Sequence, residues 1–303
     1  MNSVRRMLGT CLAAFVMSSL LPLSQANAAV SRLHGLQFNA CDQYGTNHPN
    51  VNCRTKSTSE RASAIRSSID SWGADFVTLQ EICQSTYESL LNSLGPSWDG
   101  EYKDTLKYSP KGGTGDSRCG YFNAPWGIAL LAHGGVTSRL PISLPLGTSE
   151  TEPRVLLCGN TTIGTGFRIC TTHLSVSSQN EIQSDFIANN YIDGWASSGA
   201  ATILGGDFNI NVRDCGESQR LNQQYRGTYF GCNDIGYGPN READQETTFG
   251  DTIYNETTFG GEKLDYGFFN YQRFDTTNFG ADATSSTVSD HDPYRIALTI
   301  YIV

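Results

Sequence analysis

Polar groups able to do chemistry recur in this sequence where short apolar runs begin or end. Asn39 follows Leu36 and Phe38. Glu81 follows Phe76-Val77-Thr78-Leu79, and His173 sits near the end of a run that starts at Phe167. Asp207 and Asn209 follow residues 202–204, Asp265 opens a run to Phe269, and Asp290-His291 precede the last run. Carboxylates and amides are hard oxygen donors of the kind Mg²⁺ takes, and that ion keeps several waters, so one or two protein carboxylates suffice. Two imidazoles with an ordinary pKa of about 6.5 can donate hydrogen bonds or move protons near neutral pH. Taken singly, each position has an ordinary explanation. Glu81 would be a solvated strand end, Asn39 a turn former, His173 a half-buried strand histidine, residues 205–209 a tight Asx turn, and residues 289–293 a capped loop. The joint occurrence in this order points to one site, because polar groups at strand ends project from a rigid scaffold into one edge of a sandwich.

Strands must present those ends, and the apolar spacing supplies them. Leu33, Leu36 and Phe38 predict a strand delivering Asn39, and residues 76–79 a buried strand running into Gln80-Glu81. Between them Ser57 with Glu60 makes a capping box, followed by Ala62, Ile65, Ile69 and Trp72 at helical spacing until Gly73. Ser85 with Glu88 predicts a second capped helix carrying Tyr87, Leu90, Leu91 and Leu94, ended by Gly95-Pro96. Two strand-then-helix steps predict an α/β sandwich. Residues 99–125, polar and glycine-rich, read as a long surface loop before a strand at 127–132. Residues 154–158 and 167–174 predict a hairpin about Gly164, and Ser178 with Glu181 caps a third helix bearing Ile182, Phe186 and Tyr191. A strand at 202–204 follows. From Gly205 to Gly261 the chain is turn-rich, and Glu-Thr-Thr-Phe-Gly occurs at 246–250 and 256–260. Two copies cannot build a solenoid, so they read as a local hairpin or a coincidence. Strands at 264–269 and 294–303 complete the pattern. No linker divides residues 29–303, which therefore read as one domain.

Composition sets the outer bounds. At 303 residues, with 38% hydrophobic and 17% charged positions, the chain can bury a core and is too apolar for disorder. Arg5-Arg6 precede an apolar run at 7–23, and Ala26-Asn27-Ala28 has the small-x-small cleavage pattern. Residues 1–28 thus read as a secretory signal peptide and the protein as secreted and extracellular. A membrane anchor fits less well, since Cys11, Ser18 and Ser19 interrupt the run and Pro22 ends it; the arginine pair leaves a twin-arginine export route open. Cleavage removes two arginines, no acids and Cys11, so the formal charge passes from -9 to -11 and nine cysteines become eight. An even number suits an oxidising compartment. The absence of any Cys-x-x-Cys pair excludes zinc ribbons and thioredoxin-type redox motifs. Short separations favour Cys41–Cys53, Cys158–Cys170 and Cys215–Cys232, which leaves Cys83–Cys119. The acidic balance argues against holding nucleic acid mainly by charge neutralisation. Lys103, Lys107, Lys111 and Arg118 are either a local basic patch or scattered solubilising charges, and Tyr121-Phe122 with Pro125-Trp126 read as core or loop packing rather than membrane insertion.

The segments Phe38-Asn39, Leu79-Gln80-Glu81, Gly127-Ile128-Ala129, Thr172-His173-Leu174, Gly206-Asp207-Phe208-Asn209, Leu264-Asp265-Tyr266 and Ser289-Asp290-His291 resemble the endonuclease/exonuclease/phosphatase superfamily. That superfamily includes pancreatic-type deoxyribonucleases, neutral sphingomyelinases, inositol-polyphosphate phosphatases and the nuclease subunit of cytolethal distending toxins. The last three segments are specific together. The resemblance implies a four-layer α/β/β/α sandwich of two mixed sheets flanked by helices. It implies that Glu81 holds a divalent metal, Mg²⁺ with Mn²⁺ or Ca²⁺ as alternatives, with Asn39 and Asp290 beside it. Asp207 and Asn209 would orient the attacking water and the phosphate, His173 and His291 would flank the phosphorus, and Asp265 would orient His291.

These roles suit phosphodiester cleavage, which needs water aligned opposite the leaving oxygen and compensation for charge on the phosphoryl oxygens. Departures from the family pattern bear on substrate. Inositol-phosphate phosphatases tend to carry an arginine-containing signature before the final Asp-His, where this chain has Lys263-Leu264-Asp265-Tyr266. That favours diesterases. Many deoxyribonucleases have arginine where Tyr266 stands, and Leu-Asp-Tyr also occurs among sphingomyelinase-like members. The resulting expectation is a secreted Mg²⁺-dependent phosphodiesterase, a nuclease on extracellular DNA or RNA, acting as a monomer without an obligate protein partner. Hydrolysis of a membrane phospholipid head group or of a phosphomonoester is the alternative, and an inactive sandwich serving as a binding or toxin module stands behind both. A glycosidase has no use for this arrangement of acids and histidines.

Overall fold

Side chains along a strand alternate between two faces, and here both faces have apolar destinations. In β1 (Ala29–Asn39), Leu36 and Phe38 point to helices, whereas Leu33 points to a second sheet. The computed structural model describes residues 29–42, 48–106, 119, 125–148, 150, 152–164, 166–176, 179–210, 240–242, 258–260, 262–270, 272–275 and 280–302. β1 pairs in parallel with β2 (Phe76–Cys83) and antiparallel with β12 (Tyr294–Ile302). β4 (Trp126–His133) and then β3 (Trp98–Leu106) extend this sheet beyond β2, and β11 (Gly280–Ala283) extends it beyond β12. The second sheet runs β5 (Val136–Ser143), β6 (Val155–Thr161), β7 (Arg168–His173), β8 (Thr202–Asp207), β10 (Asp265–Asn270) and β9 (Asn240–Glu242). Each six-stranded sheet has one parallel pair at its centre, β1 with β2 and β7 with β8. Parallel neighbours need a crossover. α1 (Val51–Thr55) and α2 (Thr58–Trp72) lie in the first, and α4 (Gln179–Ile187), a π turn (Ala188–Ile192) and α5 (Asp193–Ser197) in the second.

Four layers follow. Leu33, Phe76, Leu130, Leu157, Ile169, Ile203 and Phe269 fill the space between the sheets. Ile65, Ile69 and, from α3 (Gln84–Leu94), Leu90 pack on Val77 and Leu79 over the first sheet; Ile187 and Ile192 pack on Leu156, Leu204 and Phe268 over the second. Full burial of a side chain of this size contributes roughly 1.5–3 kcal/mol. The expected α/β/β/α sandwich of two mixed sheets is therefore present.

Local details differ from expectation for identifiable reasons. The Ser57–Glu60 capping box forms in full, but the one expected at Ser85 and Glu88 does not. β2 runs straight into α3 with Cys83 at the cap, and Glu88 instead accepts a hydrogen bond from Gln84 Nε2 at 2.8 Å. Residues 99–106 belong to edge strand β3 rather than to a loop, and β5, β9 and β11 had no predicted counterpart. Edge strands bury little and carry charge, so their apolar alternation is faint; β5 is exposed from Thr137 through Pro141. Lys103 lies in β3 and pairs with Asp104, and Trp126 is buried. Disulfides join Cys41 to Cys53 and Cys158 to Cys170, as the short separations favoured, and Cys83 to Cys119, the pair those left over. Cys215, Cys232, residues 1–28, Lys107, Lys111, Arg118, Tyr121-Phe122 and the first Glu-Thr-Thr-Phe-Gly copy lie outside the described residues.

Candidate active site

The topology brings strand ends from both sheets to one edge of the sandwich. Asn39 of β1 lies beside Gln80 of β2, His173 of β7 beside Asp207 of β8, and antiparallel β10 brings Asp265 beside Asp207. β12 begins with Tyr294 beside Gln37, which sets Asp290 and His291 over the same edge. Asn39, His173, Asp207 and Asp265 keep the parity of the interlayer residues on their strands. The layer between the sheets thus grades from apolar at one end to ionisable at the other.

Glu81 arrives by a different route. By alternation with Val77 and Leu79 it would face the helices, but the pairing of β2 with β4 slips between Leu79 and Ile82 and Glu81 adopts φ 49°. A left-handed backbone at such a residue costs on the order of 1–3 kcal/mol, and bulges re-aim side chains. The re-aimed carboxylate lines a pocket of about 530 Å³ together with His173, Asp207, Asn209, Asp290 and His291.

Asp207 is central to it. Its Oδ2 accepts from Asn39 Nδ2 at 2.9 Å and its Oδ1 from the Asn209 backbone N–H at 2.9 Å. Nε2 of His173 and Nε2 of His291 stand 3.7 Å and 3.8 Å from Asp207 Oδ2, and His173 Nε2 is also 3.7 Å from Glu81 Oε1. His291 Nδ1 is 2.7 Å from Asp265 Oδ2, so Nε2 is the nitrogen left toward the pocket. Trp126 meets the His173 ring edge-on, and Phe259 packs against the His291 ring with centroids 4.7 Å apart. Burial and the nearby Asp265 charge push the Asp207 carboxyl up, partly offset by His291 and by the hydrogen bonds from Asn39 and Asn209. Burial pulls the His291 imidazolium down, but the charge of Asp265 and its hydrogen bond, helped by Asp207 and Asp290, override this and raise it.

All eight residues singled out in the sequence converge here, but they do not all face the pocket. Asn39 is 1% exposed; its Oδ1 accepts from the Cys41 N–H at 3.0 Å while its amide orients Asp207, so it stands behind the carboxylates. Glu81 and Asp290 keep 16% and 14% side-chain exposure at the pocket wall. Their hard oxygens, with space beside them for water, fit a divalent cation. Cys41 and Cys53 flank the same corner, but their disulfide removes them as ligands. Asn209 takes φ 50° and donates from Nδ2 to the Leu174 carbonyl at 2.8 Å.

Sequence reasoning missed four groups that line the pocket. His48 lies in the loop closed by Cys41–Cys53, accepts from the Asn50 N–H at Nδ1, and brings Nε2 to 3.8 Å from Asp290. Arg154 and Glu152 form a partly screened pair at 3.3 Å. Phe259 comes from the second Glu-Thr-Thr-Phe-Gly copy, where a tight turn bridges Phe259 to Glu262 and Thr258 Oγ1 accepts from the Asp265 N–H at 3.1 Å. Neither spacing nor periodicity marks any of these, since all four come from loops or from the residue before a strand. Arg61 was also missed as anything but a helix position. It is fully buried, pairs with Asp42 at 3.1 Å, and donates to the carbonyls of Ala40, Cys53 and Val288, tying together the three segments behind Asn39, His48 and Asp290.

The chain is similar to known proteins in sequence profile and in fold. A profile of the Endonuclease/Exonuclease/phosphatase family matches residues 36–291. Among solved structures, the human Nocturnin catalytic domain with bound sulfate is similar at TM-score 0.62 and 18% identity, over 89% of this chain and 97% of that one. Truncated Caenorhabditis elegans TDP2 gives 0.60 and 15%, over 88% and 97%; the mannosyl-6-phosphatase Bt3783 of Bacteroides thetaiotaomicron gives 0.60 and 14%, over 88% and 99%. No curated protein sequence matches the chain.

Proposed function

The chain belongs to the Endonuclease/Exonuclease/phosphatase family, and from that premise we propose that it is a secreted, Mg²⁺-dependent phosphodiesterase that cleaves extracellular nucleic acid. Members of this family are metal-dependent phosphoester hydrolases. The observation that carries the hydrolytic reading is the meeting of His173 Nε2 and His291 Nε2 about one oxygen of Asp207, with Glu81 in the same pocket.

Each side chain has a task in that reading. Asp207, held by Asn39 and the Asn209 N–H, accepts a proton from water placed against it. His173 and His291 flank the phosphorus and donate to its oxygens as charge grows there, His291 being kept charged by Asp265. Arg154 adds a fixed cation at the wall. Glu81 and Asp290 would hold the divalent ion, which supplies charge compensation at the phosphoryl group. Residues 1–28 would be removed on export, leaving 29–303 as one catalytic domain acting as a monomer. Among the described residues no helix is long and apolar enough to cross a membrane.

Glu152 favours a second reading, because a carboxylate beside Arg154 opposes a polyanion continuing along that wall. A phosphomonoester or a lipid head group ends there without penalty. Plasmid DNA, RNA, sphingomyelin and an aryl phosphate assayed side by side with Mg²⁺ separate these readings. Cleavage of nucleic acid, abolished by chelator and reduced at least about 100-fold in folded His173→Ala and Asp207→Ala, is the expected result. Full activity in both variants would sink the assignment. The N-terminus of exported protein, expected at Ala29, checks the signal peptide.

A further inference from the structure

Beneath the pocket, the interlayer contains polar side chains that the catalytic scheme does not use. Gln37, Thr78, Gln80 and Thr171 are all wholly buried between the sheets. The amide of Gln37 crosses the gap. Its Nε2 donates to Asp265 Oδ1 at 2.9 Å, and its Oε1 accepts from Thr78 Oγ1 at 2.7 Å and from Gln80 Nε2 at 2.9 Å. Gln80 Oε1 also accepts from Gln37 Nε2, and Gln80 Nε2 reaches Thr171 Oγ1 at 2.8 Å. Both ends of the Gln37 amide are therefore specified, the oxygen accepting within its own sheet and the nitrogen donating both to Gln80 of that sheet and to Asp265 of the other.

Asp265 is bonded through one carboxylate oxygen to His291 and through the other to Gln37. His291 belongs to the segment before β12 of the first sheet, Asp265 to β10 of the second, and Gln37 to β1 of the first. The chain of bonds thus leaves the first sheet, holds a carboxylate of the second and returns. Gly205 makes room for it: a Cβ there would lie 2.4 Å from Thr78 Oγ1 and 3.3 Å from Gln37 Oε1. A larger residue would push the two sheets or the amide apart.

We propose that Gln37 is a positioning residue for hydrolysis, fixing the Asp265 carboxylate so that it aims His291 Nε2 at the phosphoryl group and sets the two sheets' catalytic groups in register. An apolar side chain of the same length would fill the volume and leave Asp265 Oδ1, wholly buried, without a donor. The carboxylate could then rotate, and His291 with it. Partners that orient a reacting group in this way typically alter activity by about 10–100-fold when removed.

The proposal rests on the phosphoesterase reading, and its test has an arm that does not. Gln37→Met, Gln37→Leu and the control Thr171→Val are compared with the unaltered protein in Mg²⁺, using bis(p-nitrophenyl) phosphate and the proton NMR signal of the His291 Nδ1–H, assigned by its loss in His291→Gln. Gln37→Met and Gln37→Leu should each lower kcat about 10–100-fold with KM within about threefold, and shift or broaden the Nδ1–H signal. Thr171→Val breaks a bond of the same network that touches neither Asp265 nor Gln37, and should keep both kcat and the signal. Should Gln37→Met fail to fold, Gln37→Leu, which is smaller and has no hydrogen-bond donor, decides. An unchanged signal in a folded Gln37 variant, or an equal loss of kcat in Thr171→Val, overturns the proposal. An unaltered protein that hydrolyses nothing sinks the phosphoesterase reading alone, because the Nδ1–H signal still reports whether Gln37 holds the dyad.

Discussion

Two residues of the pocket have ionisations moved well away from their ordinary values. Burial and Asp265 raise the Asp207 carboxyl to about 7, and the carboxylates around His291 raise that imidazole to about 10 against the pull of burial. If Asp207 must be ionised to take a proton and His291 charged to donate, the rate rises as Asp207 deprotonates and falls as His291 does. A bell-shaped kcat/KM profile with limbs near 7 and 10 is the expected outcome. Divalent metal at Glu81 and Asp290 would add positive charge beside Asp207 and move the acidic limb down, so the profile should shift with metal concentration. His291→Gln should remove the alkaline limb, and its survival would assign that limb elsewhere. The same shift has a consequence for stability. A histidine raised in the fold stabilises fully below its unfolded value of about 6.5 and loses that contribution as pH climbs through about 10. Denaturant midpoints should fall across that window in the unaltered protein and stay flatter in His291→Gln.

Among the elements, the segments behind the pocket depend on a single side chain. Arg61 sits on α2, far in sequence from Val288, yet its guanidinium holds Ala40, Cys53 and Val288 through their carbonyls and compensates Asp42. Burial pushes the Asp42 carboxyl up and the Arg61 guanidinium down, so desolvation outweighs their attraction. Pairs of this kind add little net stability but are costly to break. Arg61→Met should destabilise by about 3–5 kcal/mol, and the double variant with Asp42→Asn should recover part of that loss. Urea denaturation measures both, and a change under about 1 kcal/mol for the single variant would remove Arg61 from this role. Arg61 also shows where the sequence stops being informative. Central strands and their chemical termini were readable, because short apolar runs leading to Asn39, His173 or Asp207 carry both signals locally. Ala62, Ile65 and Ile69 marked the buried face of α2, but nothing in that pattern announces a buried cation whose partners are loop carbonyls. Edge strands β3 and β5 were lost for the converse reason, since their charged exposed faces erase the alternation. The bulge at Glu81 is likewise invisible until β4 is laid beside β2.

For the whole molecule, the charge balance and the pocket make opposing demands. Removing residues 1–28 would leave the protein at -11, yet the proposed substrate is a polyanion. Carboxylates at Glu81, Asp290, Asp207 and Asp265 account for part of that charge, and a divalent ion offsets it only locally. Arg154 is the arginine or lysine found lining the pocket among the described residues, and Glu152 partly screens it. Binding nucleic acid by counterion release needs many phosphate contacts, each contributing about 0.9 to the slope of log affinity against log salt on duplex DNA. Among the described residues the pocket offers few. The slope of log(1/KM) against log salt, measured at fixed free Mg²⁺, should therefore be shallow, on the order of one to two contacts rather than six or more. Arg154→Gln should flatten it by about one contact while leaving the acidic limb of the pH profile in place. A steep slope would mean that a basic surface outside the described residues holds the substrate, with Lys107, Lys111 and Arg118 the first to test. A shallow one, combined with chelator sensitivity, makes the metal and the histidines the main attraction for phosphate and predicts that release of the cleaved nucleic acid does not limit turnover.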